Sequence, residues 1–178
     1  MNERQKDIMS KGLQMKDVSL MSLVCQTCTN DFTSHSFNKI GHTLEGGHIF
    51  YTKISNASKY DDTEGIVNHC TNYLNTINPD KWSWIMDFDG FGLRHTLGIN
   101  TGLRLSQLIN KFGRLNYLII INTNTFVEQM LSLIKFTLNK EYHGCIKIVH
   151  PNDAFIKKIR EEWHCTDTSK TLLNALIE

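Results

Sequence analysis

Two acidic residues and a histidine lie close together in the middle of the chain, and these residue types can do acid–base or metal chemistry. Asp87 and Asp89 end a predicted strand, and His95 follows a few residues later. Carboxylates at the carboxyl end of a strand occupy the place where α/β proteins form their sites. However, Asp87 alternates away from the aromatic face of its strand, and Asp89-Gly90 is ordinary turn chemistry. We therefore predict no catalytic role for these residues, and we expect the protein not to be an enzyme.

The cysteines form another arrangement that could bind a metal. Cys25 and Cys28 have two residues between them. His35 or His42 could complete a ligand set only at irregular spacing. A structural zinc ion needs four thiolate or imidazole ligands, usually as two close pairs, and no second CxxC or HxxxH follows. Ordinary thiols are therefore the expectation, with no metal and no cofactor. The chain's five cysteines at irregular spacing fit reduced thiols better than a disulfide framework.

Phosphate and nucleic acid are not indicated as ligands. The segment Gly90-Phe91-Gly92 lacks the further glycine and basic positions of a phosphate-binding loop. Nineteen Lys and Arg against 18 Asp and Glu give a formal net charge of +1, so the totals show no large basic footprint, although a local patch is not excluded. We expect no nucleic-acid partner.

The elements that position these residues are clearest between residues 117 and 149. Residues 117–121 form an apolar, β-branched run that predicts a strand buried on both faces, and a short strand is predicted at 145–149. The segment 125–138 between them predicts a helix with two overlapping apolar stripes, Phe126, Met130, Leu133 and Ile134 in one and Val127, Leu131, Ile134 and Leu138 in the other. Such a helix needs a second cover besides the sheet, whether protein, membrane or an apolar ligand.

The rest of the chain repeats the same alternation. Strands are predicted at 48–54 and 82–88, with Trp82, Trp84 and Met86 on one face of the second, and each is followed by a helix. A last helix is predicted to begin at Pro151 and to continue through Trp163, after which Leu172, Leu173, Leu176 and Ile177 form a terminal apolar set. This order predicts an α/β fold with a mostly parallel sheet and crossover helices.

The amino-terminal part is the hardest to interpret. Loosely periodic apolar residues within 8–24 predict one or two short helices, so we divide the chain into a short helical segment, 1–45, and a domain, 46–178. No window approaches the roughly 20 apolar residues that span a bilayer, and the polar start does not resemble a signal peptide. We expect a soluble, cytoplasmic protein, with peripheral attachment to membranes left open.

Several segments in this order resemble the CRAL-TRIO lipid-binding family. They are residues 84–90 with the helix that follows, 112–114, the strand 117–122, the apolar helix and Lys147-Ile148, so that the resemblance covers about 47 to 150. The family includes phosphatidylinositol and phosphatidylcholine transfer proteins and the retinaldehyde and tocopherol carriers. The resemblance implies an apolar pocket, with the helix 125–138 in the place of the family's mobile gate.

The sequence also departs from the family pattern. The Pro that usually follows Asn122 is missing, the upstream helical module is absent or reduced to residues 1–45, and the closing Leu-Pro and Gly-Gly segment is not recognisable. Lys147 is kept, but Gly144 stands in place of the Thr and Gly113 in place of the acidic residue that phosphatidylinositol binders use. These departures argue against phosphoinositide recognition.

We therefore expect non-enzymatic binding or transfer of a small hydrophobic ligand or phospholipid, with transient contact at a membrane surface. The resemblance and the strand and helix faces together predict the ligand-binding residues Trp82, Trp84, Met86, Leu118, Ile120, Phe126, Met130, Leu131, Ile134 and Lys147. The alternative is a protein-interaction scaffold of the same fold, resembling BCH modules, in which Trp82 and Trp84 fill the pocket. An enzyme is the third interpretation.

Overall fold

A six-stranded sheet forms the centre of the protein in its computed structural model, which describes residues 24–31, 33–92, 95, 98–150 and 153–165. The strands are β1 (Asn38–Thr43), β2 (His48–Lys53), β3 (Trp82–Asp87), β4 (Leu115–Ile121), β5 (Ile146–Val149) and β6 (Trp163–Cys165). The helices are α1 (Gln26–Asn30), α2 (Thr63–Ile77), α3 (Gly98–Phe112), α4 (Thr125–Lys135) and α5 (Ala154–Glu162). Short 3₁₀ helices occupy Ile54–Asn56 and Lys140–Cys145.

The strand order across the sheet is β5-β4-β3-β2-β1-β6. The four strands β2 to β5 are mutually parallel, whereas β1 is antiparallel to both of its neighbours. A helix follows each of the first three parallel strands, which is the connection that parallel pairing requires. The predicted α/β class with a mostly parallel sheet is confirmed.

Local sequence explains where the helices begin and end. Asp62 caps α2 by accepting a hydrogen bond from the Gly65 amide, and Asn124 caps α4 by accepting one from the Val127 amide. Helix α2 ends at Asn78, which takes the left-handed conformation with φ 44°. Glycine suits the same role after α3, where Gly113 has φ 65°.

The sheet carries a hydrophobic core on each face. One core contains Phe50, Trp84 and Leu118 of the sheet with the buried faces of α2, α3 and α4. The other contains Ile49, Ile85, Ile119 and their neighbours with α5. Successive strand residues therefore alternate between the cores, and Trp82, Trp84 and Met86 share the face predicted for them.

Three details differ from the sequence prediction. Strand β1 was not predicted, and it places residues 38–43 of the amino-terminal segment inside the sheet. Trp163 starts strand β6 instead of continuing the last helix, which begins at Ala154 with Asp153 as its cap. Helix α4 ends at Lys135, and residues 136–138 form a turn. Pro151, the helices predicted before residue 24 and the terminal leucine set lie outside the described residues.

Candidate ligand-binding cavity

A narrow cavity of about 90 Å³ lies between the sheet and the helices that cover one of its faces. Its floor comes from β3 and β4, its walls from α2 and α3, and its cover from α4. The floor is apolar because β3 presents Trp84 and Met86, and β4 presents Leu118, to this side of the sheet. The lining side chains are mostly aliphatic and aromatic, which is the usual composition of a site for an apolar ligand.

Six of the ten predicted ligand-binding residues line this cavity: Trp84, Met86, Leu118, Met130, Leu131 and Ile134. Trp82 and Ile120 are buried in the same core but do not border the cavity. Phe126 borders a separate shallow depression beside Gly92 and Asn124. The structure therefore brings together the residues of the strand and helix faces that the sequence had placed opposite each other.

Lys147 lies on the other side of the sheet from the cavity. Its register partner is Ile119, which belongs to the core under α5, whereas Leu118 and Ile146 face the cavity side. The period of two along a strand explains this position. A ligand contact for Lys147 stays a prediction that the geometry of the cavity does not support.

The two tryptophans have different polar contacts. The Trp84 indole N–H donates to Thr52 Oγ1 over 2.9 Å within the cavity wall. The Trp82 indole N–H donates to the Gly113 carbonyl over 2.8 Å, at the opposite end of the strand. Both indoles are thus buried with their donors satisfied, but only Trp84 borders empty space.

Sequence reasoning missed the part of the lining that comes from α2, α3 and the residues before β1. Cys70 lies on α2, Gly102, Leu105 and Ile109 lie on α3, and Phe37 precedes β1. The apolar stripe of α3 was visible in the sequence, but a stripe does not show which of its residues meet a cavity. Burial raises the pKa of the Cys70 thiol, so this wall presents a neutral sulfhydryl.

Several polar groups of the lining, although not His35 Nε2, are held by protein partners. Thr101 and Thr63 hydroxyls are 2.7 Å apart, and the Ser106 hydroxyl donates to the Leu103 carbonyl over 2.7 Å. His95 Nδ1 accepts a hydrogen bond from the Gly92 amide. These groups are therefore committed to the fold, and the cavity shows no charged clamp for a lipid headgroup among the described residues.

Helix α4 packs closely on α3 at Gly102. A Cβ atom at Gly102 would lie 2.5 Å from Cδ1 of Ile134, so the glycine lets the two helices approach. Polar side chains hold both ends of α4. Asn122 before it donates to Asp87 over 2.8 Å, and Asn110 of α3 donates to the Thr137 carbonyl after it over 2.9 Å.

The outer face of α4 is unusually apolar for a surface helix. Phe126 is 38% exposed, Leu133 61%, and Phe136 just beyond the helix 84%. These three residues, which we call the outer stripe, lie at i, i+7 and i+10 and so share one side of the helix. The apolar pattern of α4 predicted that something besides the sheet covers this helix. Among the described residues, nothing covers its outer stripe. No described helix has the length and apolar character to cross a bilayer.

The three residues first considered for catalysis do not converge. Asp87 is 2% exposed and accepts hydrogen bonds from the Tyr51 hydroxyl, the Asn122 amide and the Asp89 backbone N–H. Tyr51 belongs to the core under α5, whereas His95 lines the cavity on the other side of the sheet. The carboxylate of Asp87 thus joins β2, β3 and the end of β4.

Charge and burial shift two pKa values near this network. Burial raises the pKa of Tyr51, and the neighbouring Asp87 carboxylate raises it further, so the phenol stays protonated. A hydrogen bond from Lys53 lowers the pKa of Asp89, which keeps that exposed carboxylate ionised. These shifts suit a structural network that ties strand ends together.

Comparison with known proteins shows a likeness of fold. The chain is similar to the crystal structure of Sfh5, a Sec14-like CRAL-TRIO protein, with a TM-score of 0.59 and 9% identity over 96% of this chain and 74% of that one. No protein-family model and no curated protein matches the sequence. At this identity the similarity establishes the α/β architecture, and the function has to be inferred from the cavity.

Proposed function

We propose that this protein binds one apolar ligand, a lipid or an isoprenoid-like molecule, between the sheet and α4, and does so without catalysis. The observation that carries the proposal is the cavity itself, an apolar space under a helix that is also apolar on its outside. Each buried methylene of a ligand contributes about 0.8 kcal/mol, so an acyl chain needs no charged clamp for useful affinity. The likeness to a Sec14-like structure agrees with this proposal.

The cavity volume implies that α4 moves during binding. The present space is about 90 Å³, whereas sites for drug-sized ligands have volumes of about 300 to 1,000 Å³. In this proposal the structure is the closed state, and a lipid chain enters when α4 shifts away from β3 and β4. Because α4 contributes Met130, Leu131 and Ile134 to the lining, such a shift enlarges the cavity directly.

The outer stripe supports loading at a bilayer. Its residues lie on the helix that covers the cavity, so insertion of Phe126, Leu133 and Phe136 into the acyl boundary would hold α4 beside the lipid it admits. Contact with lipid also gives the stripe the apolar surroundings that it lacks in water. We propose that ligand exchange takes place during this transient contact.

The inner and outer faces of α4 can be tested separately. A Glu at Met130, which is 6% exposed, should abolish binding of a soluble fluorescent fatty acid, because a carboxylate would have to enter the apolar cavity. The matched Leu133→Glu, on the outer stripe, should bind that soluble probe normally but take up a labelled phospholipid from vesicles at least several-fold more slowly. Fluorescence titration and stopped-flow transfer measure the two quantities.

Circular dichroism of each variant provides the folding control, and Leu131→Glu is a second inner-face variant should Met130→Glu not fold. Normal probe binding by either folded inner-face variant would contradict the proposed ligand site. Normal vesicle uptake by Leu133→Glu would contradict the proposed membrane contact while leaving the ligand site intact.

A protein-interaction scaffold is the second candidate, and the small volume favours it. In that case Trp84 and its neighbours form a closed core, and the outer stripe binds a protein partner. A scaffold predicts no saturable uptake of any apolar probe by the wild-type chain, whereas a ligand carrier predicts uptake with one molecule per chain.

A further inference from the structure

Four side chains with metal-binding atoms meet beside the cavity. Cys25 precedes α1, Cys28 lies within it, His35 precedes β1 and His69 lies on α2. One ligand atom from each lies within 4.8 Å of all the others. Cys28, His35 and His69 are at most 3% exposed, and Cys25 is half-buried.

The separations agree with a tetrahedral ion. With Zn–S bonds of about 2.3 Å and Zn–N bonds of about 2.0–2.1 Å, the ligand atoms of a tetrahedral site are about 3.3–3.8 Å apart. His35 Nδ1 lies 3.4 Å from Cys25 Sγ and 3.3 Å from Cys28 Sγ. The remaining pairs lie within 4.8 Å, so they need to approach by at most about 1.5 Å, which side-chain rotation can supply.

One ring nitrogen of His69, Nδ1, makes no hydrogen bond among the described residues. Its Nε2 lies 3.2 Å from the Phe37 carbonyl, which can only accept, so Nε2 carries the proton. Nδ1 then has a free lone pair, and it is buried without a hydrogen-bond partner among the described residues. A buried acceptor left in this way costs free energy unless something binds it.

His35 has the complementary arrangement. Its Nδ1 faces the two sulfurs, and its Nε2 lies 3.5 Å from Oδ2 of Asp62, too long for a hydrogen bond but on the side where one could form. A histidine ligand usually donates its second ring N–H to a carboxylate or a backbone carbonyl, which fixes the ring for the metal. Asp62 and the Phe37 carbonyl occupy those two positions here.

We propose that Cys25, Cys28, His35 and His69 form a structural zinc site. Two thiolates and two imidazoles are a ligand set that zinc favours, and the two thiolate charges neutralise the ion in a buried place. Binding would release the two thiol protons to solvent as two Zn–S bonds form, with no change of oxidation state. All four positions are filled by protein, so the site leaves no open position for catalysis.

The site would attach the amino-terminal residues to the domain. Cys25 and Cys28 belong to the first described segment, whereas His69 lies on α2, whose position is set by the sheet core. His35 and Phe37 lie between Cys28 and His69 in the chain, and both also line the cavity. Zinc would thereby close this wall of the cavity and hold α1 against α2 independently of any ligand.

Metal content of the full chain tests the proposal. Protein purified under reducing conditions should contain one zinc per chain by inductively coupled plasma mass spectrometry. Cys28→Ser and His69→Gln should lower that content at least about tenfold, since each removes one of four ligands. Cys25→Ser should lose zinc in the same way, and Cys145→Ser is its matched control. Cys145 is half-buried, as Cys25 is, but it lies in the 3₁₀ helix Lys140–Cys145, so this variant should keep its zinc.

Cobalt provides a readout that does not depend on the folding of a variant. Titration of the metal-free wild-type chain with Co²⁺ should give thiolate-to-cobalt charge-transfer absorption and the intense visible bands of a tetrahedral ion, saturating at one equivalent. A chelator should lower the melting temperature of the wild type and leave that of His69→Gln unchanged. No zinc and no cobalt signal in reduced protein, a Cys25–Cys28 disulfide in freshly purified protein, or bound iron in place of zinc would each overturn the proposal.

Discussion

Trp84 is the larger of the two β3 side chains that line the cavity. It lines the cavity while donating to Thr52, whereas Trp82, two residues earlier on the same face, packs beyond the cavity against Phe50 and the Gly113 carbonyl. The two indoles therefore form a matched pair of equal size and similar burial. Only one of them should affect the choice of ligand.

Replacing each tryptophan with leucine should separate these roles. Both changes should lower the free energy of unfolding by about 2–4 kcal/mol, somewhat less than truncation of a buried aromatic to alanine. Trp84→Leu should also bind bulkier apolar probes and regain stability in their presence by mass action. Denaturant unfolding with and without probe measures both effects. Equal stabilisation of Trp82→Leu by the probe, or none of either variant, would contradict a ligand cavity at Trp84.

At this scale the sequence predicts the face of a residue but not its neighbours across the core. Alternation along β3 correctly placed Trp82, Trp84 and Met86 together. Which of them borders empty space depends on where α3 and α4 cross the strand, and that depends on contacts such as Gly102 with Ile134. The sequence suggested Cys25, Cys28 and His35 as a possible but incomplete ligand set. The same limit hid the fourth residue of the proposed zinc site, because His69 lies more than 30 residues beyond His35 and joins it only through the fold.

At the scale of elements, apolar content determined which strands were predictable. The strands β2 to β5 are hydrophobic runs, and the sequence predicted all of them. Strand β1 contains Asn38, Lys39, Gly41, His42 and Thr43 around a single Ile, so it lacked that signal although it pairs on both sides. Strand β6 has three residues and follows α5 directly, so its Trp163 looked like one more residue of the helix stripe.

Two histidines that titrate face each other across the β1–β2 pair. His48 and His42 are register partners with ring centroids 5.0 Å apart. Burial, with smaller contributions from the positive charges of Lys39 and of a protonated His42, lowers the pKa of His48 from 6.5 to about 4. The pKa of His42 is lowered as well, again chiefly by burial. Protonation of either ring therefore disfavours this pairing.

Stability should consequently fall on mild acidification. Between about pH 6.5 and 4 the unfolded chain binds a proton at His48 that the folded chain does not, so this contribution is complete above pH 6.5 and is lost as the pH falls. Melting temperatures measured from pH 7.5 to 5 should show the decrease, and His48→Gln should flatten it more than His42→Gln does. An unchanged slope in His48→Gln would contradict the assignment.

At the scale of the whole molecule, an apolar cavity and an apolar outer surface share one helix. Members of both stripes predicted for α4 line the cavity, whereas the outer stripe takes Phe126 and Leu133 from one of them and adds Phe136. A helix that only closed a core would gain nothing from Phe126, Leu133 and Phe136 in water. In the proposed function, ligand exchange at a bilayer would give both faces apolar contacts, one with the ligand and one with the membrane.

The likeness to Sfh5 supports this architecture without carrying the ligand over, since 9% identity leaves the lining residues free to differ. The proposed zinc site shares His35 with the cavity wall, so loss of zinc should also loosen that wall. Zinc content and ligand binding are nevertheless measured separately, and Met130→Glu should lose the ligand while it keeps its zinc.

Native mass spectrometry of the full chain, purified from a lipid-containing host and followed by solvent extraction, tests the central claim most directly. We expect a population that carries one apolar molecule per chain, which the extract identifies, and we expect Met130→Glu prepared in parallel to lack it. A wild-type protein that shows only the mass of the chain with its proposed zinc, and that takes up no lipid when mixed with vesicles, would contradict the ligand-binding function and favour the scaffold.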